Sequence, residues 1–414
     1  MINKISFKNY KLFKEKQTLE LKPITILIGK NNTGKSAVLK LMTLIEGALN
    51  GKSENAFSLD NDGVISGKEF KDLIYGKFGR ALEIEVFQEY QKEERIQSLK
   101  VKVAVDISKN IPIIESWVLK EKYESNDFKE LLNFQRLNDN SFVNEIDDIE
   151  YLCSFDGIYL SNYFYKDKSD SSGTNYSQPF LNTDFIGGIR EKAKLDYRLN
   201  PINEKSSIDG KFLYDFIIRD YLTTDKIYFN KISDWISEKF EGWNLYIDVD
   251  SEPYHIELRK GKLEIDITET GMGIAQSLPL ITRAFKKCEK ETLIIIEEPE
   301  SHLHPYAHSQ IAQLIAQSIK EDKNKKYLIE THSQNFVLRL RRIVAEGDFK
   351  ASDLGIYYVD FNEDNNESII SEIVVDEGGG VNWWPNGIFG ETNIETKAIY
   401  KAQINDLKNV DRNK

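Results

Sequence analysis

The segment Gly29-Lys30-Asn31-Asn32-Thr33-Gly34-Lys35-Ser36 decides the fold, because it fits the phosphate-loop pattern G-x-x-x-x-G-K-[ST]. The residues before it, 23–28, are nearly all apolar, as in a buried strand of a parallel sheet. From residue 37 onward the apolar side chains recur with a helical period. This order of strand, glycine-containing turn and helix predicts an α/β fold with a phosphate-binding loop.

The residues of this loop have separate predicted tasks. Its two glycines allow the backbone to pass close to phosphate groups, and the helix that follows presents its N-terminus to the negative charge. Lys35 can reach the β- and γ-phosphates of a nucleotide, and the Ser36 hydroxyl can bind Mg²⁺. The predicted nucleotide-binding residues are Gly29, Asn31, Asn32, Thr33, Gly34, Lys35, Ser36 and Ala37.

A second apolar strand is predicted at residues 293–296, and it ends in two carboxylates, Glu297 and Glu298. Side chains at the carboxyl end of such a strand face the ligand crevice of an α/β sheet. We therefore expect Glu297 to hold Mg²⁺ through water and Glu298 to act as the base that orients the attacking water. The alternative interpretation is a buried strand that ends in an ordinary solvated turn.

Residues 270–277, Thr-Gly-Met-Gly-Ile-Ala-Gln-Ser, place two glycines at the start of an apolar helix. Because glycine has no side chain, the N-terminus of this helix would be open to an anion. A second helix start of this kind predicts a dimer, in which Gly271 and Gly273 cap the γ-phosphate bound to the other subunit. The alternative is a glycine-rich turn before a core helix.

Residues 327–333, Tyr-Leu-Ile-Glu-Thr-His-Ser, read as a further apolar strand that ends in polar residues. His332 at this strand end could hydrogen-bond the γ-phosphate and report its loss. A lone histidine is more often structural, so the order of the four motifs along the chain supports this role more than His332 itself does.

Together these motifs resemble the ABC-type ATPases of the RecF, OLD and SMC kind. Residues 5–13 are similar to the opening strand of that family, and residues 297–305 to its Walker B and D-loop segment. Residues 271–276 stand at its signature in the form G-x-G-x-x-Q, and residues 331–333 match its switch histidine. The resemblance implies an ATPase head that binds ATP and Mg²⁺ and dimerises around them. It implies Lys35, Glu298 and His332 as catalytic residues, Gly271, Gly273 and Gln276 as ATP contacts, and Ser36 and Glu297 as Mg²⁺ ligands.

A closer resemblance is to stand-alone prokaryotic AAA-type ATPases with a short C-terminal domain of unassigned function. Residues 184–190, Asp-Phe-Ile-Gly-Gly-Ile-Arg, resemble a motif of that group, although Gly188 stands where proline is usual. Residues 384–389 resemble its tail motif. The resemblance implies a sensor or regulator of a separately encoded effector, a nuclease or a toxin, in anti-phage defence.

The composition limits the class of protein. The chain has 414 residues, 40% of them hydrophobic, which is typical of a globular protein with more than one domain. No window approaches the run of about 18 apolar residues that a membrane helix needs, and the start lacks a secretory signal. Two cysteines can form neither a disulfide framework nor a four-ligand zinc site. We expect a soluble cytoplasmic protein.

Changes in the apolar pattern divide the chain into four regions. The resemblance implies that they form an α/β fold, a P-loop ATPase head of the ABC/SMC-like kind with an inserted lobe and a cap. They are the N-terminal half of the head (1–110), an inserted helical and β lobe (111–240), the C-terminal half of the head (241–345) and a small C-terminal cap (346–414). Within them, residues 82–118 alternate as antiparallel strands do, and residues 209–240 show a helical pattern. Three short strands are predicted between residues 245 and 267.

Two functions remain open from sequence. The main hypothesis is a Mg²⁺-dependent ATPase that forms a homodimer or higher homo-oligomer around ATP and regulates a separate effector. The alternative is an ATP-gated DNA-binding clamp of repair or recombination. Nine Lys against two Glu in the first 40 residues favour the clamp, whereas the formal net charge of −12 opposes it. The trigger (DNA or a phage protein), the effector and the position of a glutamine loop stay open.

Two further clusters have simpler structural interpretations. Three histidines near residue 305 could bind a metal, but no nearby acid completes the ligand set. Three aromatic side chains near the end of the chain could stack on bases, but packing of the tail is favoured. The histidines are His302, His304 and His308, and the aromatic residues are Trp383, Trp384 and Phe389.

Overall fold

The central feature of the computed structural model is a six-stranded sheet, which carries the predicted phosphate loop at its carboxyl edge. The structure describes residues 1–53, 55–77, 81–106, 111–123, 127–138, 140–166, 176–249, 252–390 and 394–403. The strands in these residues are β1 (Ile2–Lys8), β2 (Gln17–Glu20), β3 (Ile24–Ile28), β4 (Asp60–Asn61), β5 (Val64–Ile65), β6 (Leu82–Tyr90), β7 (Arg95–Asp106), β8 (Ile111–Tyr123), β9 (Lys129–Arg136), β10 (Ser141–Asn144), β11 (Ile149–Asp156), β12 (Tyr159–Tyr165), β13 (Thr183–Ile186), β14 (Asn244–Asp248), β15 (His255–Lys260), β16 (Leu263–Asp266), β17 (Thr292–Glu297), β18 (Lys325–Glu330), β19 (Leu354–Asn362) and β20 (Glu367–Ile373). The helices are α1 (Lys35–Leu49), α2 (Lys211–Tyr221), α3 (Ile227–Lys239), α4 (Met272–Phe285), α5 (Pro305–Glu321) and α6 (Gln334–Ala345).

The six-stranded sheet has the order β13-β17-β18-β3-β19-β20. Its first five strands are parallel, and β20 pairs antiparallel with β19 at the edge. All of β3 and nearly all of β17 are buried, which explains their continuous apolar sequences. Because parallel strands end at the same edge, the phosphate loop after β3, Glu297 at the end of β17 and His332 after β18 come together.

Apolar layers cover both faces of this sheet. On one face, side chains such as Leu27 and Ile295 pack with α1 and with a second, larger sheet. On the other face, Ile26 and Ile294 pack with α4, α5 and α6. Successive residues of a strand point to opposite faces, so both layers draw on the same short strands. Each fully buried Ile or Leu side chain contributes about 1.5–3 kcal/mol, and the sandwich therefore fixes the strand ends that form the site.

The larger sheet has nine antiparallel strands in the order β12-β11-β10-β9-β8-β7-β6-β1-β2. Strands β7 and β8 pair from Arg95↔Tyr123 to Asp106↔Ile111, across the boundary predicted at residue 110. The sheet is therefore continuous where the sequence predicts the start of an inserted lobe. The described strands and helices of residues 111–240 lie in three places: β8–β12 extend this sheet, β13 joins the central sheet, and α2 and α3 pack beside α4.

The predicted C-terminal cap also contributes to the central sheet. Strand β19 pairs in parallel with β3, and β20 follows it as the edge strand. Beyond these strands the Trp384 and Phe389 rings lie 6.0 Å apart, and Trp383 lies 6.0 Å from the ring of Tyr358. The aromatic cluster therefore packs the tail, in agreement with the simpler interpretation.

Predictions for the middle of the chain are confirmed. Helices α2 and α3 lie within residues 209–240, and β14, β15 and β16 form a small antiparallel sheet.

Among the described residues, none of the helices combines the length and the apolar character that a membrane crossing requires.

Candidate nucleotide-binding site

The phosphate loop has a backbone that only glycine allows at two positions. Gly29 has a φ of 155°, and a Cβ atom added there would lie 2.2 Å from the Val359 carbonyl oxygen. Gly34 caps the N-terminus of α1 with a φ of 101°, and an added Cβ would lie 3.0 Å from the Phe13 ring. The left-handed conformation and the close neighbours both exclude a side chain. The loop is therefore held tightly against β19 and the turn after β1.

A cleft of about 540 Å³ opens at this loop. The loop side of the cleft supplies six of the predicted nucleotide-binding residues, and the ends of β17 and β18 supply the rest of its polar lining. The lining residues are Leu12, Asn31, Asn32, Gly34, Lys35, Ser36, Ala37, Glu298, Glu330 and His332. Of the other two predicted loop residues, Thr33 is buried and donates to the Lys30 carbonyl at 3.0 Å. The Gly29 carbonyl accepts from Lys35.

Lys35 is folded into the loop. Its side chain is 3% exposed, and its ammonium group donates to the carbonyl oxygens of Gly29 at 3.1 Å and Lys30 at 2.6 Å. The ammonium nitrogen also lies 3.6 Å from an Oε1 atom of Glu330. Burial lowers the pKa of Lys35, and the charge of Glu330 opposes this effect. The ammonium is thus the positive charge of the cleft that lies nearest to the loop backbone.

Glu330, the last residue of β18, brings a third carboxylate to the site. Its Oε2 atom accepts a hydrogen bond of 2.7 Å from the Ser36 hydroxyl, and the side chain is 6% exposed. The motifs assign it no role, although the signal is the one that identifies Glu297: an apolar strand that ends in a carboxylate. In the register of β17 and β18, Glu297 and Glu330 are direct neighbours.

The two predicted carboxylates at the end of β17 differ in their surroundings. The Glu297 side chain lies against the backbone of Gly187. A Cβ atom added to this glycine would lie 3.7 Å from the Oε2 atom of Glu297. Burial raises the pKa of Glu297, and the nearby charge of Glu330 adds to this rise. Glu298 lines the cleft, has a φ of 43° and accepts a hydrogen bond of 2.8 Å from Ser301.

Glu300 connects the turn after β17 to Thr331 and His332, the residues that follow β18. One carboxylate oxygen accepts from the Thr331 hydroxyl at 2.7 Å, and the other accepts from the backbone N–H of His332. Burial raises the pKa of Glu300, whereas these hydrogen bonds lower it. The His332 ring is exposed toward the cleft, with its Nε2 atom 3.9 Å from Glu330. Glu300 is a positioning residue that no motif assigns.

Arg190 supports the same turn through backbone carbonyls. It is 4% exposed, and its guanidinium donates to the carbonyl oxygens of Glu298 at 3.3 Å and Ser301 at 3.4 Å. Burial lowers the pKa of Arg190 to about 10, so the group is still charged at neutral pH. The motif at residues 184–190 therefore acts through its arginine on the backbone of the turn, a function that its sequence alone does not reveal.

The start of α4 lies outside the cleft. Gly271 is the exposed N-cap residue, and a Cβ added there would meet no atom within 4 Å. Gly273 is half-buried, with an added Cβ 3.6 Å from the His302 carbonyl oxygen. Gln276 is buried and donates to the Glu191 carbonyl at 3.4 Å, so it faces its own chain. Within the described residues, the lining of the cleft includes none of 271–276.

Two of the three histidines near residue 305 make structural hydrogen bonds. Both ring nitrogens of His308 have partners, the Ser333 hydroxyl at 2.7 Å and the Leu303 carbonyl at 3.0 Å. The Nδ1 atom of His304 accepts from the backbone N–H of Tyr306 at the start of α5. In the part of the chain that the structure describes, no group of three or more His, Cys, Asp or Glu side chains is arranged to hold a metal.

Comparison with protein families defines the class. The sequence model of the family described as "AAA ATPase domain" matches residues 1–337, so the chain belongs to the AAA ATPase domain family. Residues 350–399 match a second family, described as "Protein of unknown function (DUF3696)". The family assignment, together with the parallel sheet and its phosphate loop, confirms the predicted α/β P-loop ATPase fold.

The solved structures that match the chain include heads of SMC proteins. The SMC head domain from Thermotoga maritima is 13% identical, with 90% of this chain and 99% of that chain covered and a TM-score of 0.42. The Smc head domain with an extended coiled coil, bound to the C-terminal domain of ScpA and derived from Pyrococcus furiosus, is 12% identical, with 90% and 96% covered and a TM-score of 0.45. No curated protein matches the chain.

Proposed function

We propose that this ATPase is Mg²⁺-dependent and closes as a head-to-tail homodimer around two ATP molecules. One observation carries the proposal: the cleft collects Lys35, Ser36, Glu298 and His332, whereas the open helix start at Gly271 lies elsewhere on the surface of the same chain. A second copy can bring that helix start to the open side of the cleft. Each complete site would then contain residues of two subunits.

The residues of the cleft support ATP hydrolysis. Lys35 would bind the β- and γ-phosphates, while backbone N–H groups of the loop and the N-terminus of α1 add positive potential. Glu298 would accept a proton from a water molecule as its oxygen bonds to the γ-phosphorus, and the bond from phosphorus to the bridging oxygen of ADP breaks. His332 would donate a hydrogen bond to the γ-phosphate.

The oxygen donors of the cleft suit Mg²⁺, which prefers carboxylates, hydroxyls, water and phosphate. When bound, the ion shields the phosphate charge and favours departure of ADP. Ser36 and Glu297 would hold it, as the motifs predict. The Ser36 hydroxyl faces the cleft, which is the side from which a nucleotide would enter.

We further propose that hydrolysis relays a signal to a separately encoded effector, a nuclease or toxin, in anti-phage defence. The resemblance of residues 184–190 and 384–389 to motifs of stand-alone prokaryotic ATPases supports this role. In the structure, the first motif reaches the turn after β17 through Arg190. The state of the nucleotide could therefore be transmitted along this segment.

The alternative function, an ATP-gated DNA clamp, is favoured by one surface of the nine-stranded sheet. There Lys4 lies 4.2 Å from the centre of the Phe87 ring, and Lys122 lies 5.2 Å from that of Phe128. Lysines interleaved with aromatic rings suit the backbone and bases of nucleic acid. DNA affinity that appears only with ATP and falls with salt would favour this function over effector control.

The dimer and the hydrolysis can be tested together by the mass of the purified protein in ATP and Mg²⁺ and by phosphate release. We expect Glu298→Gln to trap an ATP-dependent dimer, wild type to hydrolyse ATP, and Lys35→Ala to do neither. A mass independent of nucleotide in all three, with equal and negligible phosphate release, would contradict the proposal.

A further inference from the structure

Glu330 occupies a position that its own motif does not explain. Its carboxylate contacts the Ser36 hydroxyl at 2.7 Å and lies 3.6 Å from the Lys35 ammonium and 3.9 Å from His332 Nε2. These are three residues that the proposed function assigns to ATP and Mg²⁺. A carboxylate that is 6% exposed and centred among them must affect the binding of both.

The charge of Glu330 is unfavourable for a bare phosphate. A phosphate that binds Lys35 comes close to Glu330, and two like charges at such a short separation repel, more strongly in a partly buried cleft than in water. Glu298 lines the same cleft, and Glu297 is the register neighbour of Glu330. Phosphate and carboxylates therefore need a cation between them.

The position of Glu330 also fits the geometry of a magnesium ligand. Octahedral Mg²⁺ has oxygen ligands at about 2.0–2.1 Å, so two adjacent ligands are about 2.9 Å apart. The Ser36 hydroxyl and the Glu330 carboxylate are 2.7 Å apart, close to that spacing. Mg²⁺ in phosphate sites is held by one or two carboxylates together with phosphate and water, so Glu330 and Ser36 need few further protein ligands.

We propose that Glu330 is a Mg²⁺ ligand of the ATP site, and that without nucleotide it binds Ser36 and Lys35 in place of the metal and the phosphate. The proposal rests on the proposed function of the site. It makes metal and nucleotide binding interdependent, because ATP without Mg²⁺ must approach an uncompensated carboxylate. With Mg²⁺, the same carboxylate attracts the complex.

The test is ATP binding to the full chain, measured by calorimetry with Mg²⁺ and with EDTA, for wild type, Glu330→Gln and the control Glu346→Gln. For wild type we expect Mg²⁺ to tighten ATP binding about tenfold or more. In Glu330→Gln, metal-free ATP should bind about tenfold more tightly than in wild type, and the gain from Mg²⁺ should fall below about threefold. Glu346→Gln removes an exposed carboxylate that is paired with Arg342 and does not line the cleft, and it should keep the wild-type dependence on Mg²⁺.

A direct readout of the metal is Mn²⁺ binding with ADP, followed by electron paramagnetic resonance. We expect Glu330→Gln to weaken Mn²⁺ binding about tenfold or more. Glu330→Asp, which keeps the charge on a shorter side chain, should weaken Mn²⁺ binding, while its affinity for metal-free ATP should stay as low as that of wild type. Glu330→Asp therefore distinguishes a role as metal ligand from a loss of folding. Thermal unfolding of both variants checks that each one is folded.

The outcomes separate this inference from the proposed function. If wild type binds ATP and Glu330→Gln keeps both its Mg²⁺ dependence and its Mn²⁺ affinity, the inference is overturned and the ATP site stands. The inference is also overturned if folded Glu330→Gln binds no ATP under either condition, because Glu330 would then serve to orient Lys35. If wild type binds no ATP at all, the proposed function fails and the inference falls with it.

Discussion

At the scale of single residues, the turn after β17 depends on side chains to which the sequence motifs assign no role. Glu298 has a φ of 43°, a conformation that is uncommon for a residue with a side chain and requires support. Arg190 supplies that support through the Glu298 carbonyl, and Glu300 holds the segment with His332. The proposed base and the switch histidine are therefore positioned by one arginine and one glutamate.

The role of Glu300 can be tested by Glu300→Gln. Loss of the charge weakens the hydrogen bonds to Thr331 and His332, and bonds to charged groups contribute about 1.5–3 kcal/mol. We expect phosphate release to fall about tenfold or more while ATP affinity changes less than about threefold. Glu346→Gln, which removes an exposed carboxylate paired with Arg342, is the control. Unchanged turnover in Glu300→Gln would show that the switch segment does not need this anchor.

The phosphate loop predicts a severe effect of Gly29→Ala. The new Cβ would lie 2.2 Å from a backbone oxygen of β19 and the residue has a φ of 155°, so the loop must move. We expect loss of ATP binding and a lower melting temperature. Gly271→Ala, with no atom within 4 Å of the new Cβ, should melt as wild type does. Equal melting and ATP binding in wild type and Gly29→Ala would contradict the close contact of loop and strand.

Lys325 predicts a pH dependence of stability. Its side chain is 2% exposed and donates to the Ala284 carbonyl, and burial, followed by the nearby Arg283, lowers its pKa to about 8 from the ordinary 10.5. At pH values between these two pKa values the unfolded chain binds more protons than the folded chain. The free energy of unfolding should therefore rise with pH in this range. From pH 7 to 9.5, wild type should gain about 1–2 kcal/mol relative to Lys325→Met in denaturant unfolding. Parallel pH profiles of the two proteins would contradict this prediction.

At the scale of elements, a buried ion pair connects β13 to α4. The Arg283 guanidinium contacts the Asp184 carboxylate, and the two side chains are 4% and 3% exposed. This pair joins the strand before Arg190 to the helix whose N-cap residue is Gly271. The position of α4 relative to the cleft therefore depends on it.

Asp184→Ala should be strongly destabilising, because it leaves the Arg283 charge buried without its partner. We expect a loss of about 3–5 kcal/mol in the free energy of unfolding, measured in urea. The matched control is Glu346→Ala, which breaks an exposed pair and should cost less than about 1 kcal/mol. A loss below that of the control would mean that the pair does not connect the two elements.

The sequence was informative where local chemistry dictates structure. The phosphate loop follows an apolar strand, and β17 and β18 are apolar strands that end in polar residues. Each forms where the pattern predicts. The continuity of β7 and β8 could not be predicted, because strand pairing brings together residues whose patterns are independent. Glu330, Glu300 and Arg190 could not be assigned roles for the same reason, since their partners lie on other elements.

At the scale of the whole molecule, we propose that the cleft and the start of α4 are two halves of one site, which a single chain does not bring together. The half around Lys35 can bind phosphate but is open to solvent on the cleft side. The half at Gly271 presents a helix N-terminus with no side-chain cap. A head-to-tail dimer joins the halves twice, by symmetry, and this composite site is the central claim.

The most direct measurement is phosphate release after two inactive variants are mixed, Lys35→Ala and Gly271→Asp. Aspartate is a favourable N-cap residue with free space here, so the chain should fold while its charge repels the partner's γ-phosphate. Mixed dimers contain one site with both halves intact, so activity should return to about a quarter of the wild-type value. A mixture of Lys35→Ala and Glu298→Gln, which damage the same half, should stay inactive. Full activity of Gly271→Asp alone, or no recovery on mixing, would contradict the composite site.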